Sequence, residues 1–272
     1  MVVSAHLSDP DWPELTEVFN HAFGDYDIPL SLTEEQLKSH MDAVSFSKTD
    51  SMGLFDEGTL VGFLFVGRRG THAWDGGTAI IPSYRGRGLA HTLVKETIAH
   101  LKKMGCTSFL LEVLKTNERA IKLYRAHGFE VRRTLFCYKH SCSDVRQNSS
   151  SLTLAEEKRP FDAINPFEPS WQNANDSINI GSYTHATIKD NGTIIGSAAY
   201  NKSTGSIAQI VLNPPFHTTD YLKETIITVA HHLSGNEVRM INVDGEDTKL
   251  QQAFEALGFE LFTTQYEMER VL

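Results

Sequence analysis

Cysteine is scarce in this chain: 272 residues hold three, Cys106, Cys137 and Cys142. So small and odd a number in a long sequence argues against a disulfide framework and for free thiols in a reducing compartment, so the expected location is cytoplasmic. Cys137 and Cys142 flank His140, yet this spacing matches no zinc pattern, and no metal is expected. Nowhere do about 18 apolar residues run together. Met1-Val2-Val3-Ser4 opens no basic-then-apolar leader, so neither a membrane span nor export is expected. Positive charge is also in deficit, with 25 Lys and Arg facing 34 Asp and Glu for a net charge of −9, which argues against nucleic acid as a partner. The deficit is uneven: 16 basic residues face 17 acidic ones over 1–140, and 9 face 17 over 141–272. An acidic second half could draw in a cationic amine, although solvated surface acid explains it as well. The length is that of two domains of about 150 residues each.

What is present is a glycine-bearing loop, Arg85-Gly86-Arg87-Gly88-Leu89-Ala90, set between a strand and an amphipathic helix. Thr78 to Ile81 reads as the strand and Pro82 ends it, since proline cannot donate to a sheet ladder. Leu89, Leu93, Val94, Ile98, Leu101 and Met104 then recur at helical spacing up to Gly105. The first turn of such a helix has free backbone N–H groups, and glycines let an anion approach them closely, with the helix dipole adding to the attraction. A pyrophosphate suits that place.

About thirty residues on, Thr107 to Val113 reads as a buried strand. It is followed by Asn117, Ala120, Leu123, Tyr124 and Gly128-Phe129 on a short helix with a glycine stop. Together the two motifs resemble the GNAT family of N-acetyltransferases. The likeness covers the family's Arg/Gln-x-x-Gly-x-Gly/Ala loop at Arg85, Gly88 and Ala90, and its Asn and Tyr on the next helix at Asn117 and Tyr124. It implies an α/β (α+β) fold with a mixed, mainly antiparallel twisted sheet flanked by helices, and acetyl-CoA as co-substrate.

The rest of the first half fits that order. Asp11 to Phe23 and Thr33 to Val44 are patterned as helices, Thr33 and Gln36 forming a capping box. Met52 to Asp56, Leu60 to Val66 and His72 to Ile81 read as strands. Gly76-Gly77 marks a bulge or close backbone approach. In the family, two strands splay apart at such a point and the pantetheine arm lies in the gap, so Ala79 and Ile80 are implied to offer it backbone groups.

The halves repeat. Gly105, Leu111-Glu112-Val113, Asn117, Tyr124 and Gly128-Phe129 fall 130 positions before Gly235, Ile241-Asn242-Val243, Asp247, Phe254 and Gly258-Phe259. The polar stretch Ser141 to Ser151 reads as a connector, which places an acetyl-CoA-binding domain at 1–145 and a degenerate copy at 146–272. The copy has Pro214-Pro215 and Asp220 where the first half has its glycines, and Phe254 where it has Tyr124. It is expected to bind no acyl-CoA in the usual way.

The motifs single out the residues of a site. Gly86, Gly88, Leu89, Ala90 and His91 offer backbone to the phosphates, and Arg85 and Arg87 are candidates for side-chain contact. Asn117 caps its helix or approaches the cofactor. An alkyl amine has a pKa of about 10.4 and needs a base or a desolvating pocket before it can attack a thioester. The resemblance implies Tyr124 as the acid that protonates the leaving thiolate and Glu112 as the base, with Asp75, His72 and ordered water as competitors. Backbone N–H groups of the fourth strand could stabilise the oxyanion. The acceptor is expected to be an amine-bearing small molecule or peptide, the protein a monomer or homodimer. A non-catalytic acyl-CoA sensor is the rival reading, because fold does not fix chemistry.

Overall fold

The computed structural model describes residues 1–25 and 30–272, and it divides into two compact units. The first comprises Met1–Arg132 with Glu267–Leu272, the second Arg133–Tyr266.

In chain order the first unit holds β1 (Val2–His6), α1 (Trp12–Phe23), α2 (Glu34–Ala43), β2 (Met52–Asp56), β3 (Thr59–Arg69), β4 (His72–Ile80), α3 (Leu89–Lys103), β5 (Ser108–Leu114) and α4 (Glu118–Ala126). Helix α1 starts where Asp11 accepts from the Glu14 N–H, and α2 starts at the capping box of Thr33 and Gln36. Strands β1 to β4 are antiparallel neighbours in sequence order, and β4 then runs parallel to β5. Strand β3 is buried along almost its whole length. One face packs Phe63 and Phe65, whose rings stack at 4.0 Å, under Leu15 and Phe19 of α1 and Leu37 and Met41 of α2.

Strand β4 departs from a regular ladder in two ways. Its pairing with β3 skips Gly76, for Val66 faces Asp75 while Phe65 faces Gly77, so a bulge lies at the Gly76-Gly77 step. Its parallel pairing with β5 lasts only from His72–Ser108 to Asp75–Leu111, whereas β3 stays beside β4 as far as Ile80. Beyond Asp75 the two parallel strands part.

Strand β6 (Glu130–Ser141) enters the second unit at Arg133, and α5 (Cys142–Val145), β7 (Thr153–Glu157), α6 (Asn175–Ile180), β8 (Thr184–Asp190), β9 (Thr193–Tyr200), β10 (Ile207–Leu212), α7 (Thr219–His232), β11 (Glu237–Asp244), α8 (Thr248–Ala256) and β12 (Glu260–Val271) come after it. Strands β7 to β10 form an antiparallel sheet in the order β10-β9-β8-β7. From Leu135 on, β6 pairs antiparallel with β11. The 130-residue repeat recurs in the elements, since α4 and α8 share their bounds at that offset, and the N-caps Asn117 and Asp247 each accept from the N–H three residues on.

The expected boundary near residue 145 differs from this division, which falls at Arg132/Arg133 and returns Glu267–Leu272 to the first unit. The polar run Ser141–Ser151 is not a free connector. Its few apolar residues are anchors: Cys142 and Val145 are buried in the second unit's core, and Arg146 donates through Nε to the Ala230 carbonyl at 2.8 Å. At the other end, the Leu272 N–H donates to Thr107 and Arg132 pairs with Glu267, all within the first unit. Among the described residues no helix is long and apolar enough to cross a membrane.

Candidate functional site

The loop before α3 is built around two left-handed residues, Gly86 and Gly88, each at φ 76°. A side chain would be strained at either place. Open space lies where a Cβ would stand at both. Gly88 is the N-cap of α3 and brings no capping side chain. Consequently the N–H groups of Gly86, Arg87, Gly88, Leu89 and Ala90 have no acceptor among the described residues, whereas the His91 N–H already bonds back to Gly88. Five consecutive donors at the positive end of a fifteen-residue helix make an anion cradle.

The cradle opens onto a groove of about 880 Å³. One wall is Thr78, Ala79 and Ile80 of β4 past its separation from β5, another the start of α3 through His91. The third is Thr116, Asn117 and the inner face of α4 down to Tyr124, and Ala22, Phe23 and Asp25 close one end. Half of the β4 backbone groups here lack a sheet neighbour, because β5 has turned away.

The two loop arginines do different work. Arg85 turns inward: its guanidinium bonds the Ile80 and Ala22 carbonyls at 2.9 and 2.8 Å and both Asp25 oxygens at 2.6 and 2.9 Å. It therefore ties the loop to β4 and α1, and its hydrogen bond holds the Asp25 carboxyl below the usual carboxylate range. Of the Ile80 backbone groups implied to serve the pantetheine arm, the carbonyl accepts this tie. Arg87 stays outside, 4.6 Å above the Tyr84 ring and donating to the Ser83 carbonyl. Tyr84 in turn donates to Asp56 at 2.9 Å, which raises the phenol pKa.

At the far end of the groove Tyr124 is buried, and its hydroxyl donates to Asp75 Oδ2 at 2.8 Å. The bulge places Asp75 there, and burial raises its pKa. Glu112, one residue past the last β4–β5 rung, is half-buried and lies outside the groove lining, as does Asp75. His72 sits at the opposite end of β4, against Ser108 Oγ at 2.7 Å. Asn117 caps α4, accepting from the Ala120 N–H at 3.0 Å, and also lines the groove. His91 is exposed at the rim, its Nδ1 lying 3.0 Å from His127 Nε2. Sequence reasoning did not single out Thr78, Arg119 or Lys122, which also line the groove. Arg119 and Lys122, three positions apart, share a face of α4 with each other and not with Tyr124, so spacing from the tyrosine gave no signal for them.

The second unit presents the same place closed. Before α7 the Pro214-Pro215 turn consumes the Phe216, His217 and Thr218 N–H groups on carbonyls of that turn, and Thr218 caps the Tyr221 N–H. His217 Nε2 lies 3.0 Å from Asp247 and joins the starts of α7 and α8. Strands β10 and β11 touch through the parallel Ser206–Arg239 bridge. Further on, the segment Asn165–Asn173 bridges them: Gln209 of β10 donates to the Asn173 carbonyl at 2.7 Å, and Asn173 donates to the Ile241 carbonyl of β11 at 2.8 Å. Asn242 adds a bond to Ser170 at 3.1 Å. About 30 Å³ remains there, room for a water. Phe254 packs on Tyr138, rings 4.9 Å apart, and brings no hydroxyl. Trp171 belongs to this inserted segment.

Residues 12–129 match the sequence model of the acetyltransferase (GNAT) family. A mycothiol acetyltransferase of Propionibacterium freudenreichii is 28% identical over 131 residues, 46% of this chain and 42% of the relative. A spermine/spermidine N(1)-acetyltransferase of Bacillus subtilis is 32% identical over 88 residues, 29% of this chain and 58% of the relative. The chain thus spans about half the length of the curated relatives it matches. A tandem GNAT protein from the clavulanic acid biosynthesis pathway has the same fold across both halves, with a TM-score of 0.69 at 11% identity, covering 100% of this chain and 98% of its own.

Proposed function

We propose, from the match of residues 12–129 to the GNAT acetyltransferase family, that the first unit takes acetyl-CoA and passes the acetyl group directly to a primary amine. The observation that carries this reading is the run of five N–H groups, Gly86 to Ala90, without an acceptor among the described residues, beside a groove that Tyr124 also lines. A pyrophosphate in the cradle would take several charge-assisted hydrogen bonds, each worth about 1.5–3 kcal/mol, enough together for a cofactor-grade site. Thr78 and Ala79 line the gap for the pantetheine arm, and Asn117 frames it from α4. Arg119, Lys122 and His91 put positive or protonatable groups on the rim where the nucleotide end would lie.

For the chemistry, the chain's part is to orient the acceptor and move two protons. The amine must lose one to attack. Glu112 is our proposed base, acting through water because it does not line the groove itself. The unpaired β4 backbone supplies donors for the oxyanion. Tyr124 gives the departing thiolate its proton; with a thiol pKa near 8.5 the thiolate already leaves fairly well. The second unit, with its counterpart cleft filled, is proposed to hold no acyl-CoA.

Calorimetric titration of acetyl-CoA into the full chain and into Gly88→Glu tests the binding. One-to-one binding lost in the variant is the expected result; two-to-one binding would return the second unit to the count. Thiol release with a panel of amines tests the transfer. Spermine and spermidine head the panel, since a relative carries them in its name. Binding without release would leave an acyl-CoA sensor.

A further inference from the structure

Asp75 stands at the last rung shared by β4 and β5, opposite Leu111, and immediately before the Gly76 bulge. It is 6% exposed, and its carboxyl group receives three hydrogen bonds. The Gly77 N–H donates to Oδ1 at 2.9 Å, and the Thr78 and Tyr124 hydroxyls both donate to Oδ2, at 2.7 and 2.8 Å.

Two hydroxyls on one carboxyl oxygen make a junction whose polarity depends on the proton count. When Asp75 is ionised, Oδ2 accepts from both. When it is protonated, the Gly77 N–H still claims Oδ1, so the carboxylic proton sits on Oδ2 and one hydroxyl oxygen must become its acceptor. Thr78 and Tyr124 both line the groove, but the phenol, with an ordinary pKa near 10, is the hydroxyl acidic enough to hand its proton on. The partners across the strands, Val66 on β3 and Leu111 on β5, are apolar, and Glu112 comes after Leu111 and so projects to the other face of β5. Burial comes first among the influences on Asp75 and raises its pKa. The remaining influences are the three hydrogen bonds, and no charged side chain is among them.

We propose that Asp75 is a positioning residue that sets the direction of the Tyr124 O–H, holding the phenolic proton inward when ionised and turning it toward the groove when protonated. This rests on the acyl-transfer reading of the first unit. In the transfer step the Tyr124 O–H bond breaks as an S–H bond forms on the departing thiolate, and the Asp75 proton moves to the phenolic oxygen. The amine nitrogen sheds one proton on becoming an amide, and that proton, carried by water, restores Asp75. Two protons leave an alkylammonium nitrogen, the first to Glu112 and on to solvent before attack and the second to Asp75, while one reaches sulfur, so the count closes.

The test uses the full chain with ¹³C-labelled aspartate and tyrosine side chains, Asp75 Cγ and Tyr124 Cζ being assigned by Asp75→Asn and Tyr124→Phe. Both signals are expected to move together at one inflection, above the ordinary aspartate value of about 3.9. An Asp75 inflection at the ordinary value, or a Tyr124 signal that ignores it, overturns the proposal. This arm needs no turnover, so a failure of the acetyltransferase reading shows separately as wild-type protein that releases no thiol from acetyl-CoA.

The second arm is the pH profile of kcat. In Asp75→Asn the Gly77 N–H keeps the amide oxygen, so the NH₂ group faces both hydroxyls and fixes the outward polarity, but it has no proton to relay. Wild-type kcat is expected to fall as pH rises through the Asp75 inflection. The variant should lack that limb and run roughly three- to tenfold slower below it, within the lower range of acid–base effects. A variant that keeps the wild-type limb overturns the assignment.

Discussion

The two units use one frame for opposite ends. Helices α4 and α8 begin and stop at matching positions, and Asn117 and Asp247 cap them in the same way. In the first unit, though, the turn before α3 leaves five N–H groups without an acceptor among the described residues, and the parting of β4 from β5 opens a groove of about 880 Å³. In the second, a Pro-Pro turn spends its donors on itself, and Asn165–Asn173 fills the corresponding gap down to about 30 Å³. The scaffold permits an open cleft without requiring one; a few residues in the turn and the strand gap decide.

The contrast can be broken or sharpened in order of effect. Gly88→Glu should weaken acetyl-CoA binding by more than about 100-fold, since it strains a φ of 76° and sets a carboxylate in the cradle, costing at least two charge-assisted bonds. Calorimetry reads it directly. Tyr124→Phe makes the first unit resemble the second, which has Phe254 at the matching place. It should lower kcat by about 10²-fold, the low end for an acid–base group, while leaving acetyl-CoA affinity in place. Unchanged turnover would remove Tyr124 from the chemistry.

Asn173→Ala attacks the closed side. The Ile241 carbonyl loses a buried donor, so urea unfolding should report about 1–3 kcal/mol less stability. The stoichiometry with acetyl-CoA should stay one-to-one; a second site appearing would mean that the inserted segment alone keeps the cleft shut. Arg85→Ala should weaken acetyl-CoA binding by roughly five- to tenfold through a loosened loop, about 1–1.4 kcal/mol for the lost ties. Arg87→Ala, at an exposed and already satisfied guanidinium, should cost about two- to threefold. A reversed order would put the Arg87 guanidinium on a phosphate.

Much of this was legible from local pattern. The glycine loop, the capping box at Thr33, the bulge at Gly76-Gly77 and the paired bounds of α4 and α8 depend on residues within a turn of each other, where spacing and φ preference act directly. Other features depend on distance. Asp75 and Tyr124 lie 49 positions apart, and the inward turn of Arg85 rests on a partner 60 positions away at Asp25. The segment Asn165–Asn173 that fills the second cleft shows nothing of this role in sequence, because Asn and Gln satisfy buried carbonyls only once strands are in place. The boundary was hidden for a related reason: it lies inside β6, and a run of serines gives no sign that Cys142 and Val145 will be buried.

The grouping of Glu267–Leu272 with Met1–Arg132 has a consequence for the making of this protein. The intervening 134 residues must leave the ribosome before the first unit has all its strands, a wait of roughly 7–27 s at about 5–20 residues per second. Until then the first unit's sheet has an open edge at β5 for chaperones to cover. A message cut short before codon 267 yields a product that carries every residue of the cradle but lacks the strand segment that finishes the unit around it.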